Sequence, residues 1–143
     1  MGYTHYWRTT KFKDEQWARL CESTKKVITL AVEQGIMVDR EDDDEDQPPL
    51  ICDSLITFNG RGDEGYETFY FQKNNTTFQF CKTGLRPYDA VVVAVLILAH
   101  YYDNDFYWSS DGDRDDFDDG LALANEFVEI LELGNETADC SNE

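Results

Sequence analysis

The sequence predicts an α+β domain with helices on one face of a mostly antiparallel sheet. Three observations carry that expectation. Apolar residues recur at helical spacing in two segments, short aromatic and β-branched segments lie between and around them, and the ten-residue run Ala90–Ala99 is apolar throughout.

Tyr3–Arg8 (YTHYWR) suits a strand that places Tyr3, His5 and Trp7 on one face and Thr4, Tyr6 and Arg8 on the other. From Asp14, a good N-cap, Trp17, Leu20, Thr24, Ile28 and Ala31 recur every three or four positions up to a stop at Gly35, so an amphipathic helix of about five turns is expected. Asp39–Pro49 (DREDDDEDQPP) offers no apolar face to dock and reads as an acidic solvated loop. A calcium site there would need spaced ligands and a turn glycine, which the run lacks.

Leu50–Phe58 reads as a strand closed by Asn59-Gly60, and Glu67–Gln72 with Thr77–Lys82 as a hairpin around Lys73-Asn74-Asn75-Thr76. Pro87 fits the first turn of a helix over Tyr88–Tyr102, and the Asp89 charge favours its positive end. That helix is apolar nearly all round, so it is expected to be covered on more than one side, by the sheet plus another helix or by a second subunit. Phe106–Ser110 is a short aromatic strand. Asp111–Asp115 turns into a last helix, capped by Asp113 or Asp115, with the stripe Phe117, Leu121, Ala124, Val128 and Leu131 and a stop at Gly134. The order is β-α-β-β-β-α-β-α, reminiscent of a ferredoxin-like core with an added hairpin. Residues 1–134 are expected to form one domain, and 135–143 a polar tail.

The charge bounds the partners. Thirty acids against 12 Lys and Arg leave 143 residues with a net charge of −18, which repels DNA and RNA polymers and anionic membrane surfaces. With 41% hydrophobic and 14% aromatic residues, the charge sits on a folded body. Cys21, Cys52, Cys81 and Cys140 form no CxxC pair and no cluster with His5 or His100, so reduced thiols and no metal or cofactor are expected. The N-terminus has no basic segment followed by an apolar one, and Ala90–Ala99 is half of the roughly 20 residues that span a bilayer, so a cytoplasmic location is expected.

The cations are not evenly spread. Residues 1–13 hold Arg8, Lys11 and Lys13, and residues 68–88 hold Lys73, Lys82 and Arg86, with no acid in either stretch. Lys82 and Arg86 bracket the junction between a strand and a helix N-terminus, where free N–H groups favour anions, and Thr83-Gly84 lets the backbone approach a ligand. Were the two stretches to converge, Tyr3, Tyr6, Trp7 and Tyr88 would place flat faces beside the cations, a combination suited to phosphates and stacked bases. Nucleophile candidates are Cys81, Ser109 and Ser110 with His5 or His100 as base, but no GxSxG, HExxH or Gly-rich phosphate loop occurs. Asp111–Asp116 departs from EF-hand spacing, with Asp116 at the glycine position and Ala122 at the final ligand position.

The segments Gly2–Trp7 (GYTHYW), Phe58–Gly60 (FNG), Tyr66–Phe69 (YETF), Phe80–Thr83 (FCKT), Arg86–Asp89 (RPYD) and Ser109–Gly112 (SSDG) together resemble a family of small bacterial and phage proteins. That family looks similar to the phage anti-CBASS sponges, oligomers that sequester cyclic-nucleotide immune signals without cleaving them. The resemblance implies immune evasion by a homo-oligomer, a tetramer among the possibilities, with ligand pockets between subunits.

Charge, aromatic pattern and resemblance together lead to the expectation of a non-catalytic binder of a cyclic dinucleotide or a cyclic ADP-ribose-like signal. Arg8, Lys82 and Arg86 would neutralise phosphates, Tyr6, Trp7 and Tyr88 would stack on bases, and His5 and Thr83 would supply hydrogen bonds. Two alternatives stand beside it. One is a small phosphodiesterase or hydrolase using His5 with Cys81 or Ser110; the other is an acidic inhibitor or DNA mimic that presents the acids of 39–47 and 103–119 to a basic protein.

Overall fold

The computed structural model describes residues 3–40 and 47–127. The α+β class holds: three helices are combined with short antiparallel strands, but the strands fall into separate sheets instead of one ferredoxin-like sheet. Strand β1 (Thr4–Trp7) lies at the centre of a three-stranded sheet, between β8 (Gln79–Lys82) and β9 (Trp108–Ser110). Its register sets Thr4 opposite Lys82, His5 opposite Cys81 and Ser110, Tyr6 opposite Phe80 and Ser109, and Trp7 opposite Gln79. Residues opposite one another share a face of the sheet, so His5, Cys81 and Ser110 project one way and Tyr6, Phe80 and Ser109 the other.

A second sheet is built on β5 (Leu55–Gly60), which pairs with β3 (Val38–Asp39), β4 (Leu50–Ile51) and β6 (Phe69–Gln72). The small strands β2 (Thr10–Lys11) and β7 (Asn74–Asn75) pair beside it. Two expectations are corrected here. Leu50–Phe58 is two strands, β4 and β5, because the polar Cys52-Asp53-Ser54 segment turns the chain and Cys52 N–H donates to Leu55 O at 2.9 Å. The expected hairpin between Glu67–Gln72 and Thr77–Lys82 does not form: β6 pairs with β5, so that Phe69 and Phe71 enter the core, and β8 pairs with β1.

Helix α1 (Asp14–Glu33) runs to the expected stop at Gly35, whose φ of +94° is the left-handed conformation glycine accepts freely. Lys13, not Asp14, occupies the cap position, with its N–H donating to Gln16 Oε1 at 2.8 Å, while Asp14 pairs with Lys73. Helix α2 (Asp89–Tyr102) is buried at every residue from Asp89 to Ala99 and packs against α1 and α3 (Asp118–Asn125). Its all-round apolar character is therefore met within the chain. At the α2–α3 crossing, a Cβ on Gly120 would stand 2.5 Å from Val93 Cγ1, so the close approach requires glycine. An aromatic cluster of Trp7, Phe12, Trp17, Phe69, Phe71 and Phe106 joins the two sheets to α1. Each such ring contributes on the order of 2–3 kcal/mol by leaving water.

Asp39, the first residue of the expected acidic loop, is 3% exposed and takes a two-pronged ion pair from Arg61, Nε at 2.7 Å and Nη2 at 3.0 Å. A planar guanidinium suits this geometry, and the pair ties β3 to the turn after β5. Residues 41–46 of that loop lie outside the described residues, as do Val128, Leu131, the expected stop at Gly134 and the tail 135–143. Asp113 does cap, but it caps the 3-10 turn Arg114–Phe117 ahead of α3, where its side chain accepts from Asp115 N–H. Among the described residues, no helix is long and apolar enough to cross a membrane.

Candidate functional site

The motif segments meet around β1 in one hydrogen-bonded network. His5 Nε2 donates to Asp89 Oδ1 at 2.6 Å, and the Thr83 hydroxyl donates to the same oxygen at 2.6 Å. Tyr3 O accepts from the N–H groups of Thr83 and Gly84, and Thr4 exchanges bonds with Asp111 through N–H to Oδ2 and through O from the Asp111 N–H. Glu67 gathers a third cluster: its Oε1 accepts from Lys82 N–H, and its carbonyl accepts from the Cys81 thiol and the Tyr88 hydroxyl. Asn59 fixes the neighbouring turn by donating to Tyr66 O and accepting from Tyr66 N–H. His5 and Thr83 are fully buried and Asp89 is 5% exposed, so these bonds satisfy groups that would otherwise be stranded away from water. Asp89 also sits in the first turn of α2, where the helix dipole favours its charge.

Burial governs the chemistry of this interior. It pushes the Cys81 thiol up to about 12, with the Glu67 carboxylate adding to the effect, and it carries the Tyr88 hydroxyl far above its ordinary value. His5 and Cys81 are cross-strand neighbours, but a thiol held this strongly in its protonated form is a poor nucleophile. Tyr3 is pushed up to about 12 by burial first and by Asp89 second, against a smaller opposing influence of the Ser110 hydroxyl. Ser110 Oγ falls short of a hydrogen bond to Tyr3 and accepts instead from Gly112 N–H at 2.9 Å. Three buried side-chain polar atoms, His5 Nδ1, Tyr3 Oη and Thr24 Oγ1, have no hydrogen-bond partner among the described residues.

The expected ligand residues divide into three groups. His5, Trp7, Thr83 and Tyr88 are interior, Trp7 at 3% exposure and the others at zero, so the stacking role expected for Tyr88 is corrected: its ring is used up by core packing, whereas Trp7 packs on Phe69 and Phe71 and also lines the cleft beside Arg8. Lys82 and Arg86 stand at one end of β1, where the Arg86 guanidinium lies over the Tyr66 ring at 5.2 Å. Tyr6 and Arg8 stand at the other end, on the outer face. The two acid-free stretches pair with each other along β1–β8 and β2–β7, but Arg8 lies four positions beyond Thr4, the partner of Lys82, or about 13 Å along an extended strand, so Arg8 does not meet Lys82 and Arg86.

What does assemble is a cleft of about 300 Å³ at the Arg8 end. Tyr6 stacks on Phe78 with centroids 5.9 Å apart and planes 23° apart, and the Arg8 guanidinium covers the same Phe78 ring at 5.3 Å. Tyr107, 70% exposed, and Trp108 complete the aromatic wall with Ser109 beside them. Among the described residues no carboxylate lines this cleft, although the chain carries 30 acids. The Tyr6 hydroxyl donates to Asp111 Oδ1 at 3.0 Å, which engages that acid at the rim. No ligand role was expected from the sequence for Phe78, Tyr107 or Trp108. The available signal was alternation: in Thr77–Phe80 the aromatic residues hold the parity that β8 turns away from the core.

No protein-family model matches the chain, and no curated protein or solved structure matches it either.

Proposed function

We propose that the protein binds and sequesters a small cyclic-nucleotide signal, a cyclic dinucleotide or a cyclic ADP-ribose-like molecule, without cleaving it. The observation that carries this reading is the Arg8 cleft: stacked rings and a guanidinium without a lining carboxylate, on a chain that is otherwise strongly acidic. A base would stack against Tyr6, Phe78 or Tyr107, which is worth about 1–3 kcal/mol per base, and Arg8 would hold a phosphate. Phe80, half exposed on the same sheet face, would be covered by a second copy in the homo-oligomer that the family resemblance implies. Lys82 and Arg86 contribute to no part of this cleft, and the phosphate role passes to Arg8 alone.

The test is a titration with cyclic nucleotides followed by denaturation and chromatography of the supernatant. Sequestration predicts a thermal shift, loss of binding by about tenfold in Arg8→Ala, and intact ligand after hours with excess protein. A hydrolase reading has one observation in its favour: His5, held by Asp89, faces the same side of the sheet as Ser110 and has a free Nδ1. Recovery of cleaved product, abolished by Ser110→Ala, would replace sequestration with that reading.

A further inference from the structure

Strand β9 separates two clefts. Trp108 and Ser109 belong to the walls of both, the Arg8 cleft on one side and a second cleft of about 300 Å³ on the other. The second cleft is closed by Phe117 and Ser110 and carries its own guanidinium, Arg114. Its lining also lacks a carboxylate among the described residues. The acids nearest in sequence are already engaged: Asp113 accepts from Asp115 N–H and Asp116 from Asp113 N–H.

Two of the three unpartnered buried polar atoms, His5 Nδ1 and Tyr3 Oη, belong to side chains that touch walls of this second cleft. The His5 ring meets Trp108 edge-on at 6.0 Å and Phe117 at 6.4 Å, both of them wall residues. Tyr3 Oη presses on Gly112, another wall residue, so closely that a Cβ there would stand 2.0 Å from it. Buried polar groups without partners are costly, and they concentrate where a ligand or a catalytic step supplies the partner. Each cleft alone is at the lower limit for a small-molecule site, whereas the pair is of ordinary size.

We propose that one ligand straddles β9 and carries two anionic groups and two planar rings, the first set taken by Arg8 with Tyr6 and Phe78 and the second by Arg114 with Trp108 and Phe117. This rests on the sequestration reading above and narrows it to a ligand of two nucleotide units. Phosphates would meet the two guanidiniums, and the second base would lie against Trp108 and Phe117, the walls that cover His5.

Calorimetric titration of the full chain with cyclic di-AMP, cyclic di-GMP, cyclic AMP and cyclic GMP tests the proposal, in wild type, Arg8→Ala, Arg114→Ala and Arg114→Lys. The expected result is a dinucleotide bound at least about tenfold more tightly than its mononucleotide. Arg114→Ala should erase that advantage, and Arg114→Lys should restore only part of it. Arg114 is exposed, so the variants are not expected to unfold. A dinucleotide affinity unaffected by Arg114→Ala but lowered by Arg8→Ala would overturn the two-cleft proposal and leave the Arg8 reading intact. Failure of wild type to bind either cyclic dinucleotide would overturn the two-cleft proposal and leave the sequestration reading to a cyclic ADP-ribose-like signal.

Discussion

The two faces of β1 are made from the same kinds of residue and do different work. His5 and Trp7 point inward, where the imidazole is fixed by Asp89 and the indole packs on Phe69 and Phe71 at 5.5 Å each. Tyr6 and Arg8 point outward onto Phe78 and bound an open cleft. Aromatic and polar composition does not separate the two roles; strand parity and the identity of the covering layer do. An inward aromatic residue contributes to stability, and an outward one is free to contribute to recognition.

Mutations should break this contrast cleanly. The largest effect is expected for Trp7→Ala, which empties a packed site and should cost about 3–5 kcal/mol in denaturant unfolding, while also removing one of the residues that line the Arg8 cleft. Asp89→Asn should cost about 1.5–3 kcal/mol, because a carboxylate that accepts from both His5 and Thr83 is replaced by an amide, and calorimetric melting would read the loss.

A pH test sharpens the inner half of the comparison. The Cys81 thiol moves from an ordinary value of 9.0 to about 12 on folding, and Tyr3 from 10.0 to about 12. For both groups the unfolded chain loses its proton first, so their contribution to stability is fully present below about pH 9 and drains away as pH rises toward 12. Urea midpoints should fall between pH 8.5 and 11 by roughly the span this linkage allows, and Cys81→Ala, though less stable at neutral pH, should show a shallower fall. A fall equally steep in Cys81→Ala would remove Cys81 from the explanation. The smallest effects on stability belong to the outer face: Tyr6→Ala and Arg8→Ala should stay within about 1 kcal/mol of wild type in unfolding while weakening ligand binding.

Much of the fold was legible because it is local. Helix α1 follows from apolar spacing and Gly35, the burial of α2 from its unbroken apolar run, and the alternating faces of β1 from the period of a strand. The site was legible only in part. Tyr6 and Arg8 were picked out by residue type, and the chain's six motif segments do belong to one place, the network around β1. Tyr88, by contrast, looked like a free stacking platform, and nothing in its neighbours along the chain reveals that Glu67 O would take its hydroxyl and the core its ring.

By itself the sequence determined the acidic charge, the helices, the parity of the first strand and the absence of acids around its cations. Tertiary structure alone decided that β8 leaves β6 to pair with β1, that Arg8 and Arg86 end at opposite ends of that strand, and that Trp108 and Ser109 divide two arginine-bearing clefts. The reason is physical: helical spacing and strand parity are set by bonds between residues a few positions apart, whereas a strand edge offers its hydrogen bonds to any partner. The choice among partners is made by which aromatic side chains can be buried together.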